Sequence, residues 1–382
     1  MHILVAPNAF KHSLDARAAA AAIRDGFLQS QLQCRVTCFP IGDGGDGTCA
    51  LIHERLKGTL VTHTVSGPLG KPVAATYSLV HNGTTAVMEM ADASGIRLLA
   101  PEERNPLDAS SAGTGELIRH ALGQGVQQII LGMGGSATVD GGCGILHALG
   151  VRFLDKQGKE LVPTPRGLQQ LHRVDRSGMD DRLQHIAITI LCDVENRLLG
   201  AEGAATVFGP QKGASPAEVE VLESFLHRLS RIVLQETGKE MTTVPSGGTA
   251  GGAAAGLYAL ANARLVNGID HFLQLTGFEA VLATADWLVT GEGSLDEQTL
   301  GGKGPFGVAQ LARQRGIPVI GMAGRVPIEP SKELLDVFPV LLPISHEALT
   351  LQEALDHTAD NLRRTAQAAG NLMASVQQTI PR

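Results

Sequence analysis

Short apolar segments that end in polar turns recur along this chain and constrain its fold more than any other feature. "ILVAP" at 3–7 is followed by a helical pattern, and "CRVTCFPI" at 34–41 repeats the arrangement. Later, "WLVTGEG" at 287–293, "PVIGMAG" at 318–324 and "FPVLLPIS" at 338–345 are separated by helical stretches. Strands that alternate with helices form a parallel sheet covered on both faces. The sequence therefore predicts an α/β fold.

The middle of the chain carries antiparallel signals instead. Residues 75–90 alternate apolar and polar side chains around an Asn-Gly pair at 82–83, which is typical of a tight hairpin. Residues 150–162 resemble a second hairpin that turns at 155–158. In addition, 382 residues exceed the length that one hydrophobic core usually serves. We therefore expect a second domain that contains antiparallel strands.

Two stretches mark the predicted crossings between domains, namely "SGPLGKP" at 66–72 and the region just before Asp286. The first domain is then discontinuous, with residues 1–65 and 286–382 forming a parallel sheet of the Rossmann or flavodoxin-like type. The second is a mixed α/β domain inserted at 66–285. We predict that the active site lies in the cleft between the two domains.

The composition narrows the class of partner. A net charge of -7 gives no electrostatic footprint for nucleic acid, and 3% aromatic residues offer few stacking platforms. The sequence shows neither a membrane-spanning apolar stretch nor an export signal. The five cysteines form no CxxC pair, which is typical of reduced thiols. We therefore expect a cytoplasmic protein that acts on a small molecule, with no nucleic acid or membrane partner.

Glycine makes up 46 of the 382 residues, well above the ordinary usage of about 7%, and it gathers beside carboxylates at strand ends. "GDGGDGT" at 42–48 holds Asp43 and Asp46. Glycine lets backbone amides approach an anion closely, but two carboxylates would repel that anion unless a hard cation lay between them. Phosphate with Mg²⁺ meets both conditions, and a helix-capping turn is the plainer interpretation.

A second cluster, "IILGMGGSATVDGGCG" at 129–144, supplies the main alternative. Gly132, Gly134 and Ala137 follow a strand in GxGxxA spacing, with Asp155 further on, as in NAD(P)-dependent dehydrogenases. Against this alternative, Asp155 lies in a predicted hairpin, and Asp140 would bring negative charge near a pyrophosphate.

The same turn suits a polyphosphate equally well. Ser136, Thr138 and the amides of residues 134–138 are the groups that would bind it, while close packing of a strand-to-helix turn is the structural alternative.

Further charged residues follow predicted strands. Asp193 ends the strand in "ILCDVENRLLG", where an acid is well placed for metal binding or general-base work. Lys212 in "ATVFGPQKGAS" is expected to be a solvated side chain, although a phosphate contact is the alternative. Lys11 and Arg325 each lie just past a strand end and are candidates to clamp a substrate carboxylate.

The stretch "LVTGEGSLDEQTLGGKGP" at 288–305 combines five glycines with Glu292, Asp296, Glu297 and Lys303. The sequence contains neither a GxxxxGK[ST] phosphate loop nor a GxSxG nucleophile motif. Several acid-bearing glycine turns at strand ends instead fit metal-assisted phosphoryl transfer, in which the protein positions the reactants and neutralises charge.

Seven segments, in order and over essentially the whole chain, resemble the bacterial glycerate kinase family. They are "APNAFKHSLDA", "GDGGDGT", "LGMGGSATVDGGCG", "CDVEN", "VFGPQKGA", "TAGGAAAGL" and "LVTGEGSLDEQTLGGKGP". The resemblance implies ATP-dependent phosphorylation of D-glycerate with Mg²⁺. It also implies two α/β domains, one discontinuous and one inserted.

The chain departs from the family pattern at a few positions. The usual "PDSFK" appears with Asn8 and Ala9, so that a carboxylate and a hydroxyl are missing. The usual "SATNDGG" has Val139 in place of an amide side chain. Asp46 stands where Glu is commoner, and Arg197 where Pro is commoner.

These motifs together predict the roles of individual residues. Asp193 and Asp296 are the candidates for holding Mg²⁺ and for deprotonating the glycerate hydroxyl, and the sequence does not divide the two roles between them. Lys11 and Arg325 would bind the substrate carboxylate or stabilise the charge in transfer. Asp43 and Asp46 would complete the substrate site. The residues predicted to bind ATP are Gly134, Gly135, Ser136, Thr138, Gly291, Gly293 and Lys303.

Overall fold

The computed structural model describes residues 1–302, 304–347 and 350–379. Its internal contacts divide the chain into unit 1, residues 1–43 with 269–382, and unit 2, residues 44–268. The strands of the described chain are β1 His2–Val5, β2 Arg35–Cys38, β3 Thr59–Ser66, β4 Pro72–Val80, β5 Thr85–Glu89, β6 Gln128–Gly132, β7 Arg152–Leu154, β8 Arg173–Asp175, β9 Ala187–Cys192, β10 Arg264–Asn267, β11 Trp287–Ser294, β12 Val319–Arg325 and β13 Val340–Pro343.

The helices of the described chain alternate with these strands in unit 1 and surround them in unit 2. They are α1 Ala16–Gln29, α2 Thr48–Leu56, α3 Met90–Ser94, α4 Ala112–Gly123, α5 Cys143–Ala148, α6 Ala204–Phe208, α7 Pro216–Thr237, α8 Ala253–Ala261, α9 Gly268–Thr276, α10 Phe278–Leu282, α11 Gly304–Gln314, α12 Lys332–Val337, α13 Leu351–Asp356 and α14 Thr358–Thr379.

Unit 1 is built on a parallel sheet with the strand order β13-β12-β11-β1-β2. Numbered within the unit, this is the order 2-1-3-4-5 of flavodoxin-like folds. In that order the chain reverses its direction of winding between β1 and β11. Ligands of such sheets bind outside the carboxyl ends of the strands at this switch point. The topology therefore directs attention to the loops that follow β1 and β11.

The core of unit 1 explains why these segments become strands and helices. Every residue of β1 is buried, as expected for a strand with helices over both faces. Helix α1 is rich in alanine and begins where the Asp15 carboxylate accepts the Ala18 amide at 2.7 Å. Its buried face, which includes Ile23 and Phe27, shares one apolar cluster with residues of β1, β11, β12 and α14. This apolar packing stabilises the sheet whose carboxyl edge carries the loops after β1 and β11.

Unit 2 has a mixed sheet with the order β10-β9-β6-β5-β4-β3. The strands β5, β6, β9 and β10 are parallel, whereas β3 and β4 pair antiparallel at one side. The predicted hairpin at the Asn-Gly pair is confirmed, because Val80 of β4 pairs with Thr85 of β5 across the turn. The backbone turns with positive φ at Asn82 and Gly83. The parallel strands bring their carboxyl ends to one edge of this sheet.

The second predicted hairpin is present in part. The Gly158 amide donates to the Asp155 carbonyl at 3.1 Å, and Leu154 forms an isolated bridge with Glu160. The strand that pairs with β7 over its full length, however, is β8. The Asp155 carboxylate accepts the amides of Gln157 and Lys159 at 2.9 Å each. This acid therefore stabilises a turn, and it does not follow a strand of the main sheet as a dinucleotide-binding acid would.

The predicted α/β architecture, with a discontinuous parallel-sheet part and an inserted mixed part, is confirmed. The bounds of the two units differ from the predicted domain bounds. The chain passes from unit 1 to unit 2 between residues 43 and 44 and returns between residues 268 and 269. The "SGPLGKP" stretch joins the antiparallel pair β3 and β4 inside unit 2. The last two helices of the described chain are α13 and α14. Within the described residues, no helix is long and apolar enough to cross a membrane.

Candidate functional site

The loops after β1 and β11 lie side by side in unit 1. The Asn8 amide donates to the Gly291 carbonyl at 2.8 Å and extends the pairing of the two strands past the end of β1. Gly291 has no room for a side chain, since a Cβ there would lie 1.9 Å from the Met322 carbonyl oxygen. Glycine at this position thus lets β11 and β12 stay paired as the chain leaves the sheet. The structure therefore brings the first and last predicted motifs together at the switch point.

Asp296 lies in a short polar turn directly after β11. Its partly exposed carboxylate accepts the Ser294 hydroxyl at 2.9 Å, and its backbone amide donates to the Thr299 hydroxyl oxygen at 3.2 Å. Thr299 in turn donates to the Glu292 carboxylate at 3.4 Å. Glu292 is only 8% exposed. Two acids, one accessible and one buried, are thus linked through the side chain of one threonine.

Asp43 is held by Asn8, one of the residues at which this chain departs from the family pattern. The Asn8 side-chain amide donates to the Asp43 carboxylate at 2.8 Å, and the Asn8 oxygen accepts the Ala9 amide at 2.8 Å. An aspartate at position 8 would lack the N–H that makes the first of these bonds. Asn8 therefore places a donor, instead of a second charge, beside Asp43.

The two cations predicted in unit 1 are both exposed. Lys11 follows β1, and the Gly293 backbone lies close to the Lys11 amide, since a Cβ built on Gly293 would be 3.9 Å from that nitrogen. Arg325 ends β12 and is paired in register with Ser294, and its carbonyl accepts the Leu295 amide at 3.0 Å. Both residues thus border the Asp296 turn. Lys303 lies outside the described residues.

In unit 2, the "GDGGDGT" loop packs directly on the "GMGGS" turn that follows β6. The Gly134 amide donates to the Gly44 carbonyl at 3.2 Å. A Cβ on Gly134 would lie 2.5 Å from the Gly45 Cα, so this backbone contact requires glycine. Two clusters nearly 90 residues apart in sequence therefore form one backbone surface. In the turn after β6, Gly135 is exposed and Gly134 is partly exposed.

The "GDGGDGT" loop rests on Glu89, a residue that the sequence analysis missed. Glu89 ends β5 and is 7% exposed. Its two carboxylate oxygens accept the Cys49 amide at 2.8 Å and the Gly47 amide at 3.1 Å, at the start of α2. Burial, as the main cause, and the charges of Asp46 and Asp92 raise the Glu89 pKa to about 7, although the two amides oppose the shift.

Asp46 is engaged by an arginine that was also not predicted. Arg97 donates to Asp46 at 2.7 Å through one guanidinium nitrogen and to Asp92 through the other. The side chains of Arg97 and Asp46 are about half exposed. The predicted substrate residue Asp46 is therefore accessible, but it belongs to an ion-pair cluster.

The turn predicted to bind phosphate offers fewer free amides than the sequence suggested. The Gly134 amide is bonded to Gly44, and the Ala137 amide donates to the Ser94 carbonyl at 2.9 Å. Thr138 is fully buried, and its hydroxyl lacks a hydrogen-bond partner within the described structure. Ser136 is 6% exposed and accepts a hydrogen bond from Lys212 at 2.8 Å. Lys212 is buried, so the expectation of a solvated side chain is wrong.

Asp140, in the same turn, has a structural environment. It is fully buried and accepts four hydrogen bonds, from the amides of Ser111, Gly142 and Gly144 and from the Ser111 hydroxyl, at 2.7–3.1 Å. Ser111 precedes α4 and Gly142 precedes α5. The carboxylate therefore fixes the N-termini of two helices, where negative charge is favourable.

Asp193 directly follows β9, at the same sheet edge as Glu89 and the Gly134 turn. Gly132 of β6 pairs with Leu191 of β9, and Cys192 pairs with Asn267 of β10. The Asp193 side chain is partly exposed. Within the described residues, no three or more His, Cys, Asp or Glu side chains cluster in a way that would hold a metal ion.

The structure thus groups the predicted residues by unit. Unit 1 gathers residues that follow β1, β2, β11 and β12, and unit 2 gathers residues around the carboxyl ends of β5, β6 and β9. The first group contains Lys11, Asp43, Gly291, Gly293, Asp296 and Arg325, and the second contains Asp46, Gly134, Gly135, Ser136, Thr138 and Asp193.

The doubly wound sheet with acid-bearing glycine turns at its carboxyl edge defines an α/β enzyme, and comparison with known proteins gives its family. The glycerate kinase family model matches residues 3–374, so the chain belongs to that family. Glycerate kinase from Bacillus subtilis is 40% identical over 96% of each chain. Glycerate 2-kinase from Escherichia coli is 38% identical over 98% of each chain.

A solved structure agrees with this assignment. The crystal structure described as a glycerate kinase 2 from Salmonella typhimurium LT2 superimposes with a TM-score of 0.83 at 41% identity, covering 99% of each chain. Glycerate kinase from Halalkalibacterium halodurans is 45% identical over 84% of this chain and 85% of that protein. The family predicted from the motifs is therefore confirmed. The protein is a kinase, and as a kinase it uses ATP.

Proposed function

We propose that the protein transfers the γ-phosphoryl group of ATP to a hydroxyl of D-glycerate, giving phosphoglycerate and ADP. Membership of the glycerate kinase family supports the substrate pair. The observation that carries the mechanism is the accessible Asp296 carboxylate, which accepts the Ser294 hydroxyl in a turn whose backbone is held by Thr299, after the strand at the switch point of unit 1. Phosphoryl transfer depends mainly on positioning and on neutralising charge, and such turns provide both.

The proposed roles follow the accessibility of each residue. The exposed cations Lys11 and Arg325 border the Asp296 turn and would bind the glycerate carboxylate or the transferring phosphoryl group. Asp43, oriented by Asn8, would accept a hydrogen bond from a substrate hydroxyl. The exposed backbone at Gly134 and Gly135 would face the ATP phosphates.

The residues present fit Mg²⁺. This ion is usually held in kinases by one or two carboxylates together with substrate phosphates, so a cluster of three protein acids is not required. Asp193 follows β9 in unit 2 and Asp296 lies in the turn after β11 in unit 1, both are partly exposed, and either would be a candidate carboxylate ligand. When bound, Mg²⁺ would neutralise charge on the phosphate oxygens. Buried Glu292, linked to Thr299, would support the Asp296 turn.

We further propose that the 2-hydroxyl is the acceptor. The support is the name of the Escherichia coli relative, glycerate 2-kinase, which aligns over 98% of both chains. Product analysis tests this step separately from the activity itself, because 2-phosphoglycerate and 3-phosphoglycerate give distinct phosphorus NMR signals.

The proposed function is tested with purified protein, D-glycerate, ATP and Mg²⁺, following ADP release with a coupled assay. Reactions with L-glycerate, without glycerate, and with excess EDTA are the controls. We expect ADP release that requires D-glycerate and the metal, with phosphoglycerate formed in equal amount. ADP release no faster than in the glycerate-free control would refute the proposal.

The roles of Asp193 and Asp296 are separated by their responses to metal and pH. Loss of a metal ligand weakens Mg²⁺ binding, so turnover of that variant should recover partly at high Mg²⁺ concentration. Loss of a general base is not recovered by metal and removes the acidic limb of the pH profile of kcat. Asp193→Asn and Asp296→Asn should each follow one of these patterns. If both variants retain wild-type kcat and Mg²⁺ dependence, neither residue has either role.

A further inference from the structure

Lys212 is a buried cation in unit 2 that the roles assigned above do not use. It ends a short 3₁₀ turn, Pro210–Lys212, and is 4% exposed. Its ammonium donates to the Ser136 hydroxyl oxygen at 2.8 Å and to the Thr138 carbonyl at 2.7 Å. Both acceptors belong to the turn after β6. The lysine thus lies beneath the same turn whose exposed side is formed by Gly134 and Gly135.

A buried ammonium is costly unless a charge nearby offsets it. Both hydrogen bonds that the structure gives Lys212 go to neutral oxygens. The acids whose charge acts on it are Asp140 and Asp193. Asp140 already accepts four hydrogen bonds from Ser111 and from the start of α5. Lys212 therefore bonds directly to neutral oxygens of the turn, and the charges of Asp140 and Asp193 act on it without a direct hydrogen bond.

The contact with Ser136 determines what that hydroxyl can do. A serine hydroxyl has one hydrogen to donate and two lone pairs that accept. Because Lys212 donates to the Ser136 oxygen, the hydroxyl hydrogen is left to donate elsewhere. Ser136 adjoins exposed Gly135, so an anion on the exposed side of the turn is within reach of this donor. The ammonium beneath would also attract that anion.

We infer that Lys212 is a positioning residue for the phosphates of ATP, acting through Ser136 on the turn after β6. This inference rests on the proposed function, because it takes ATP phosphates as the anion at this turn. Lys212 fixes the turn through the Thr138 carbonyl and directs the Ser136 O–H toward the nucleotide.

The protonation of Lys212 agrees with such a role. Burial lowers the Lys212 pKa to about 7, and the charges of Asp140 and Asp193 oppose the shift. An anion bound above the turn favours the protonated form. The Thr138 hydroxyl lies in the same turn, is fully buried and lacks a hydrogen-bond partner in the described chain.

The test compares Lys212→Met with wild type in the ATP and glycerate kinetics. Met keeps the length and fits a buried site while removing the charge. Lys212→Met removes the hydrogen bond from the charged ammonium to Ser136, so the Ser136 hydroxyl is no longer oriented toward ATP. We therefore expect the KM for ATP to rise about tenfold or more. The KM for D-glycerate should change by less than about twofold. Lys156→Met, at an exposed lysine of the hairpin turn in the same unit, is the matched control and should leave both KM values unchanged.

A double-mutant cycle with Ser136→Ala tests whether Lys212 acts through Ser136. Ser136→Ala alone should raise the KM for ATP, and adding Lys212→Met should raise it by much less than Lys212→Met does in the wild-type background. Full additivity would overturn the inference, and so would a folded Lys212→Met protein with wild-type KM for ATP. If Lys212→Met does not fold, an unchanged KM for ATP in Ser136→Ala overturns it instead.

The two proposals fail in different ways. Wild-type protein that releases no ADP with D-glycerate contradicts the proposed function. If the wild-type protein is active and neither Lys212→Met nor Ser136→Ala changes the KM for ATP, only the inference about Lys212 is contradicted.

Discussion

Two turns of this molecule have similar sequences but place their aspartates in different environments. One follows β11 in unit 1 and carries Asp296, and the other follows β6 in unit 2 and carries Asp140. Both leave a parallel strand through glycines and reach an aspartate within a few residues. Asp296 is partly exposed and accepts a serine hydroxyl. Asp140 is fully buried and accepts four hydrogen bonds from two helix starts.

The difference shows that a glycine turn with an acid has two separate uses. A carboxylate whose lone pairs are filled by backbone amides is a structural cap, because a substrate would have to displace those donors. A carboxylate that keeps contact with solvent can exchange a proton or meet a metal. Burial, not the motif, therefore distinguishes the two. Each substitution below tests whether one acid behaves as an exposed, reactive carboxylate or as a buried, structural one.

Asp296→Asn is expected to have the largest effect on activity. It removes the charge and the basicity of the accessible acid, so kcat should fall by at least about 100-fold while the melting temperature changes little. Steady-state ADP release and a thermal melt measure the two effects. Glu297→Gln, at the exposed neighbouring acid, is the control and should keep near-normal turnover. Near-normal turnover of Asp296→Asn would remove this residue from the mechanism.

Asp140→Asn should affect stability first. The amide nitrogen of asparagine cannot accept the hydrogen bonds that one carboxylate oxygen accepts, so we expect a loss of roughly 2–3 kcal/mol in the free energy of unfolding. Urea denaturation followed by circular dichroism measures it. Asp181→Asn, at an exposed acid of the same unit, should stay within about 0.5 kcal/mol of wild type. A stable Asp140→Asn protein with greatly reduced kcat would reverse the assignment of the two turns.

Much of the fold was predictable because it depends on local patterns. Alternating strands and helices indicated the parallel sheet, and the Asn-Gly pair indicated the hairpin between β4 and β5. The predicted boundary at 66–72 instead joins β3 and β4, since a Pro/Gly stretch marks a turn but not which strands pair across it. Strand pairing over long sequence separations decides where a unit ends, and no local pattern contains that information.

Candidate site residues could be selected from the sequence only where they follow strand ends. Asp193 and Asp296 were selected because each follows a predicted parallel strand, and ligands of such sheets bind outside the carboxyl ends of the strands. Glu89 was missed because, within an alternating strand, nothing shows that the loop at Gly47 rests on it some 40 residues earlier in the chain. Lys212 was interpreted as solvated because a lone lysine among glycines does not reveal its burial. Tertiary packing therefore decides which acids and which lysine are buried, and the sequence pattern does not contain that information.

Glu89→Gln tests an acid that lies between the two extremes, since Glu89 is buried but has a pKa of about 7. Between roughly pH 4.5 and 7 the unfolded chain has released this proton while the folded chain retains it. Wild-type stability should therefore fall with rising pH across this window through Glu89. Because Gln does not titrate, the wild type should lose roughly 2–3 kcal/mol relative to the variant.

Urea unfolding of both proteins at pH 5 and pH 7.5 measures this change, and the difference between them cancels the other titrating groups. A constant stability difference at the two pH values would mean that Glu89 is already ionised in the folded protein. In that case it would belong with Asp140 as a carboxylate that caps a helix start.

Arg97→Gln should have the smallest effect, because it loosens the exposed acid Asp46. The Arg97 and Asp46 side chains are 47% and 50% exposed, so water screens their attraction. Exposed ion pairs typically contribute less than about 1 kcal/mol, and we expect a loss in that range, reduced further in 0.5 M NaCl. Urea unfolding at low and high salt measures both values. A loss of about 2 kcal/mol or more that persists in salt would place Asp46 with Asp140 among the structural acids. The difference between reactive and structural acids would then no longer follow exposure.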